Sequence, residues 1–175
     1  PKPKYLVEAR ASLAAGRLEP DELTDMEHQA TEFWIRQQEK LGVDVLVDGE
    51  MSRGDMVAHF AERMTGFEKG GLVRSYGNRY YHKPIITSAV KWNGQITVAE
   101  WRYAQSLTNK PVKGMLTGPF TMMDWTFNEY YPNREDATLA LAGELRREVK
   151  ALVTAGAKII QIDEPAISVR PQELP

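Results

Sequence analysis

Four short apolar runs, each closing on polar residues and separated by helix-length segments, constrain this chain more than any other feature. They occupy residues 43–48, 84–90, 112–116 and 158–163. Runs this short and this rich in Val, Ile and Leu read as strands buried on both faces. The intervening segments carry helical periodicity. Residues 22–41 place Leu23, Met26, Ala30, Phe33, Trp34 and Leu41 on one stripe, with Gly42 as the stop. Residues 55–64 form a second helix closed by Gly66, and Thr97 opens a third, with Glu100 completing a capping box. The longest covers residues 134–155, capped by Asn133 and ended by Gly156, with Leu139, Ala142, Leu145, Val149 and Leu152 turned inward. The Gly-rich, basic stretch 68–83 reads as a long loop. Strands alternating with helices argue a parallel sheet with right-handed crossovers, shared by open doubly wound sheets and (β/α)8 barrels. A whole barrel takes about 250 residues. The 175 residues are therefore read as a single domain, and, if a barrel, as roughly its first half.

Composition narrows the function classes. With 24 acidic and 22 basic side chains, no broad basic field invites nucleic acid or an anionic membrane. No apolar run approaches the roughly 20 residues that span a bilayer, and no signal-peptide pattern opens the chain. The absence of Cys removes disulfides, thiol nucleophiles and thiolate metal ligands. These features fit a cytoplasmic protein. Three histidines, His28, His59 and His82, offer no credible zinc set. His59 and Glu62 lie one helical turn apart, a spacing that can ligate metal, but a single such pair is usually coincidence.

In parallel α/β folds, ligands bind beyond the carboxyl ends of the strands. Those ends carry Asp48-Gly49-Glu50, then Thr87-Ser88, then Thr117-Gly118-Pro119 with Asp124-Trp125 behind, then Asp163-Glu164-Pro165. Each residue has an ordinary structural explanation, since a strand-end Asp often caps the next helix. Their shared position on one rim is what favours a site. Lys69, Arg74, Arg79 and Lys83 face either an anionic ligand or solvent. No reaction follows from these residues alone.

Five blocks go further. Residues 44–50 (DVLVDGE) with 55–57 (DMV), 75–79 (SYGNR), 104–108 (AQSLT), 111–119 (PVKGMLTGP) and 160–166 (IQIDEPA) resemble, in order and spacing, the catalytic domain of cobalamin-independent methionine synthase. The resemblance implies a (β/α)8 TIM barrel and methyl transfer from N5 of 5-methyltetrahydrofolate to the zinc-bound thiolate of homocysteine. By position, Glu50 and Asp163 match the carboxylates that hold the homocysteine ammonium group, where two anions orient a cationic amine. Trp125 matches the aromatic that stacks on the pterin, and Arg79 and Tyr80 match residues that touch the folate. Tyr80 stands where familiar members carry Cys, and Val169 where a folate-contacting Glu is expected. A methyl-corrinoid protein is therefore the alternative donor, and a fragment that binds without catalysing is the alternative outside enzymology. The zinc ligands and the acid-donating His are implied beyond the last strand, and an Ile-Gly-Ser before Pro1. The chain is thus expected to be an internal portion of a longer polypeptide.

Overall fold

The computed structural model describes residues 2–74, 80–170 and 172. In chain order its elements are α1 (Lys4–Ala14), α2 (Pro20–Lys40), α3 (Ala58–Ala61), β1 (Met64–Arg74), β2 (Tyr80–Trp92), α4 (Val98–Ser106), β3 (Gly114–Thr117), α5 (Pro119–Asp124), β4 (Phe127–Asn128), α6 (Arg134–Ala155), β5 (Ile160–Asp163) and α7 (Pro165–Val169). They fall into two compact units, residues 1–53 with 99–113, and residues 54–98 with 114–175.

In the first unit, α1 and α2 bury Leu6, Ala9, Leu23 and Ala30 together with Met51. Helix α2 starts on Pro20 with a reciprocal capping box between Glu19 and Glu22, which satisfies amide groups that the first turn leaves open. Its inward face is Leu23, Ala30, Thr31 and Ile35. Phe33 and Leu41, expected inward, are 55% and 81% exposed. The apolar stripe is therefore rotated from the one the periodicity selects, and α1 has no counterpart in the sequence reading. The strand expected over 43–48 contracts to one parallel bridge, Leu46 to Val112, with Leu46 N–H donating to Pro111 O and Lys113 N–H to Leu46 O. Beside it the Gln38 side-chain amide pairs with both backbone groups of Val47, at 2.8 and 2.9 Å, in the manner of a neighbouring strand.

In the second unit, β3 and β5 pair in parallel, Gly114 opposite Ile160 through Thr117 opposite Asp163, so their carboxyl ends coincide. Helix α6 has the expected limits. Asn133 accepts from the Asp136 amide at 2.8 Å, and Gly156 closes the helix in the left-handed region. Leu145 and Leu152 are buried, while Leu139 is exposed.

Three expectations are corrected here. Residues 68–74 and 80–83 are no loop: β1 and β2 pair antiparallel from Met64 opposite Trp92 to Arg74 opposite Tyr80, and residues 75–79 lie outside the described residues. Residues 84–90 belong to that hairpin, so Thr87 and Ser88 lie within a strand rather than at a rim; Thr87 donates to Glu68 at 3.2 Å. Gly70 and Gly71, which suggested a loop, sit at the register shift between Lys69 and Leu72, where a Cβ on Gly70 would lie 2.1 Å from Lys83 O. Glycine within a strand marks such a bulge or close backbone approach. The helix expected over 55–64 is cut to Ala58–Ala61, with Asp55 Oδ1 accepting from the amides of Val57 and Ala58 at 2.9 Å each.

Candidate functional site

Glu50 lies in the first unit, on the turn that follows the Leu46 bridge. Gly49 and Glu50 both have positive φ, 73° and 56°, and Glu50 is the one non-glycine residue in that region among the described residues. A left-handed non-glycine residue costs of order 1–3 kcal/mol and persists only where its surroundings impose it. Here they do. Asp48 Oδ1 accepts from the Glu50 amide at 2.9 Å, and Glu50 O accepts from the Arg53 amide at 3.0 Å. Arg53, 3% exposed, donates from Nη1 to Glu50 Oε1 at 3.1 Å. Arg10 donates to Met51 O and, at 2.7 Å, to Glu27. A Cβ on Gly49 would lie 2.9 Å from Met51 Cε and 3.4 Å from Trp34 Cδ1, so the turn is packed as well as bonded. Lys2 joins the cluster; its ammonium is held below the ordinary lysine range, first by burial, with Glu50 opposing that shift. Glu50 is thus bonded through both its backbone and its carboxylate.

Asp163 and Glu164 close β5 in the second unit, and they divide two roles. The Asp163 carbonyl accepts from the Gly118 amide at 2.8 Å, while its half-buried carboxylate accepts from Gln161 Nε2. Glu164 turns its carboxylate onto the first turn of α5, accepting from the amides of Phe120 and Thr121 at 3.0 and 2.7 Å. A carboxylate there also suits the helix dipole. The Ala166 amide donates to Thr121 Oγ1 at 3.2 Å, tying the start of α7 to α5. These contacts leave Glu164 structural.

Gly118 makes that arrangement possible, because a Cβ on it would lie 2.1 Å from the Glu164 carboxyl group. Its φ of −75° suits any residue, so the need is for space. Gly118→Ala is expected to displace the Glu164 carboxylate and destabilise the protein by about 1.5–3 kcal/mol, the worth of a hydrogen bond to a charged group. Urea unfolding checks this, and the cost should shrink in a Glu164→Ala background if the clash is its cause.

Trp125 follows α5 and is half-buried. Its ring lies 5.7 Å from that of Tyr81, at 39°. Tyr80, the neighbour singled out from the sequence, is 63% exposed; successive strand residues point to opposite faces, and the ring contact falls to Tyr81. Sequence reading missed Tyr81, although its position two residues before Lys83 placed it on the same face of β2. Arg79 lies outside the described residues. Val169 is 51% exposed at the end of α7. His59, one helical turn from Glu62, is 3% exposed and packs edge-on against Phe60. Among the described residues no three His, Cys, Asp or Glu side chains converge as a metal site. The zinc implied by the resemblance is therefore not fitted by these residues.

The parallel pair β3 and β5, with helices between them and carboxylates at their shared end, places the second unit in the α/β class. The family model for the cobalamin-independent synthase catalytic domain matches residues 1–171. A methionine synthase of Saccharolobus solfataricus is 40% identical over 175 residues, 99% of this chain and 53% of that protein. A 5-methyltetrahydropteroyltriglutamate–homocysteine methyltransferase of Lactiplantibacillus plantarum is 47% identical over 167 residues, 91% of this chain and 22% of that one. The structure of a B12-independent methionine synthase from Shewanella sp. W3-18-1, solved with selenomethionine, superposes with a TM-score of 0.80 at 31% identity, covering 90% of this chain and 47% of that one. The chain belongs to the cobalamin-independent methionine synthase family, and its fold is part of that family's TIM barrel. It spans about half the length of the archaeal methionine synthases it matches. No helix among the described residues is long and apolar enough to cross a membrane.

Proposed function

We propose that this chain contributes the amino-acid and methyl-donor contacts of a methionine synthase, which transfers the methyl group of a 5-methyltetrahydropteroyl donor to the sulfur of homocysteine. The observation that carries this reading is the family match over residues 1–171, a span that includes Glu50, Trp125 and Asp163. Glu50, held left-handed at a cost in backbone energy, supports it.

In the transfer, a sulfur–carbon bond forms as the donor's nitrogen–carbon bond breaks, and the nitrogen takes up a proton. Glu50 accepts hydrogen bonds from the homocysteine ammonium group, with Arg53 fixing which way its carboxylate points. Asp163 is assigned to the same group, its carboxylate oriented by Gln161. Holding the amino acid by its charged end removes rotational freedom before reaction. Trp125 receives the flat ring of the donor, with Tyr81 stiffening the indole from one side. Arg79 and Tyr80 keep their assignment to the same donor. Zinc and the proton-donating His are assigned to parts of the polypeptide beyond these residues. The activity is placed in the cytoplasm, which the Cys-free composition suits.

The relatives' names specify a pteroyl donor or independence from B12, which favours the folate over a methyl-corrinoid protein. A methyl-transfer assay on the full-length protein tests this, supplying homocysteine with labelled 5-methyltetrahydropteroyltriglutamate or with methylcobalamin. Labelled methionine from the folate is expected. Trp125→Ala should weaken that donor by about 1–3 kcal/mol, as for a base stacked on an aromatic side chain, while sparing homocysteine. Transfer from methylcobalamin alone would overturn the folate reading. Transfer from neither would favour a chain that binds without catalysing.

A further inference from the structure

A charged strut runs from the two helices of the first unit to the turn that carries Glu50. Leu6 and Ala9 are buried on α1, with Leu13 packed beside them, and the helical repeat puts Arg10 on the same side, one turn after Leu6. A guanidinium at the edge of an apolar cluster costs free energy unless its donors are met. Arg10 Nη2 donates to Glu27 Oε1 of α2 at 2.7 Å and to the carbonyl of Met51. The Arg10 and Glu27 side chains are 22% and 14% exposed, which limits screening of the pair by salt.

Met51 directly follows Glu50, and it is held twice. Its side chain is buried in the α1–α2 core, and its carbonyl is the group that Arg10 meets. Glu27 fixes the guanidinium in turn, so that carbonyl has a charged donor kept in one place. The constraint matters because Glu50 has a φ of 56°, a conformation that a non-glycine residue leaves once its surroundings slacken. The bonds from Asp48 and Arg53 close the turn on itself. The Glu27–Arg10 pair instead anchors it to the helices. We infer that Arg10 and Glu27 are positioning residues for homocysteine: they keep the Glu50 turn left-handed, so that its carboxylate meets the substrate's ammonium group already placed. This rests on the reading of Glu50 given above.

Calorimetric titration of homocysteine and steady-state kinetics, both on the full-length protein, test this role. Arg10→Met keeps the aliphatic stem and removes the guanidinium. It is expected to weaken homocysteine binding about tenfold and to leave the methylfolate KM within about twofold of the wild type. Glu27→Gln, which leaves Arg10 its bond to Met51 O, should lose about threefold. Arg10→Lys should restore most of the affinity, because a single nitrogen makes both contacts. Lys4→Met, in the exposed Lys4–Glu8 pair of the same helix, should bind as the wild type does. Melting curves identify the folded variants, and Glu27→Gln carries the test if Arg10→Met does not fold. In a Glu50→Gln background, Arg10→Met should cost little further homocysteine affinity, since it acts through Glu50. Folded variants with wild-type affinity, an equal loss in Lys4→Met, or an undiminished loss in the Glu50→Gln background would overturn the positioning role alone. Wild-type affinity in Glu50→Gln itself would overturn the reading of Glu50, and the positioning role with it.

Discussion

Thermal and urea unfolding of Glu148→Leu are expected to show a loss of about 3–5 kcal/mol, comparable to breaking a buried ion pair. Glu148 is 0% exposed, in the middle of α6. Its carboxylate accepts four hydrogen bonds, from Trp92 Nε1 at 2.8 Å, the Ile96 amide at 2.9 Å, the Thr97 amide at 2.7 Å and the Thr97 hydroxyl at 2.9 Å. It thereby clamps the segment that leads from β2 into α4. Leucine fills the volume but leaves these donors in an apolar setting, where each unmade bond costs about 1–3 kcal/mol. Stability across proteins is only about 5–15 kcal/mol, so the loss is a large share of it. Glu148→Gln keeps one good acceptor and should lose about half as much. A Leu variant as stable as the wild type would mean that water replaces the carboxylate.

The reasons Glu148 escaped the sequence reading also explain the other misses. Beside Glu144 and Arg147 it resembles the solvated side of an amphipathic helix, and its partners lie 51–56 residues away. Local periodicity carries no information about a contact at that distance. The Thr97 amide shows the converse: a capping box with Glu100 was locally sound, but the amide donates to Glu148. The β1–β2 hairpin was hidden because Gly66, Gly70 and Gly71 interrupt the alternation that identifies a strand, and only the bulges explain them. In α2 the apolar residues outnumber the buried positions, so Phe33 and Trp34 drew the predicted stripe off the true one.

What was legible depends on local rules. Asn133 and Gly156 delimit α6 through capping alone. Strands β3 and β5 follow from short β-branched and apolar runs, and the polar residues at their shared end follow from the parallel pairing. Glu50 was visible as a carboxylate after a strand. The left-handed turn that holds it was not, because the turn depends on Asp48, Arg53, Met51 and Trp34 together.

Homocysteine recognition by the two strand-end carboxylates is the central claim. Removing the charge from Glu50 or Asp163 loses a charge-assisted hydrogen bond to an ammonium group, worth about 1.5–3 kcal/mol. Glu50→Gln keeps an acceptor for the buried Arg53 guanidinium, and Asp163→Asn keeps an oxygen for Gln161, so neither change empties its surroundings. The direct measurement is calorimetric titration of homocysteine into the full-length protein and these two variants, with melting curves to confirm folding. Each variant is predicted to bind roughly 10- to 150-fold more weakly than the wild type. Affinity unchanged in both folded variants would contradict the account.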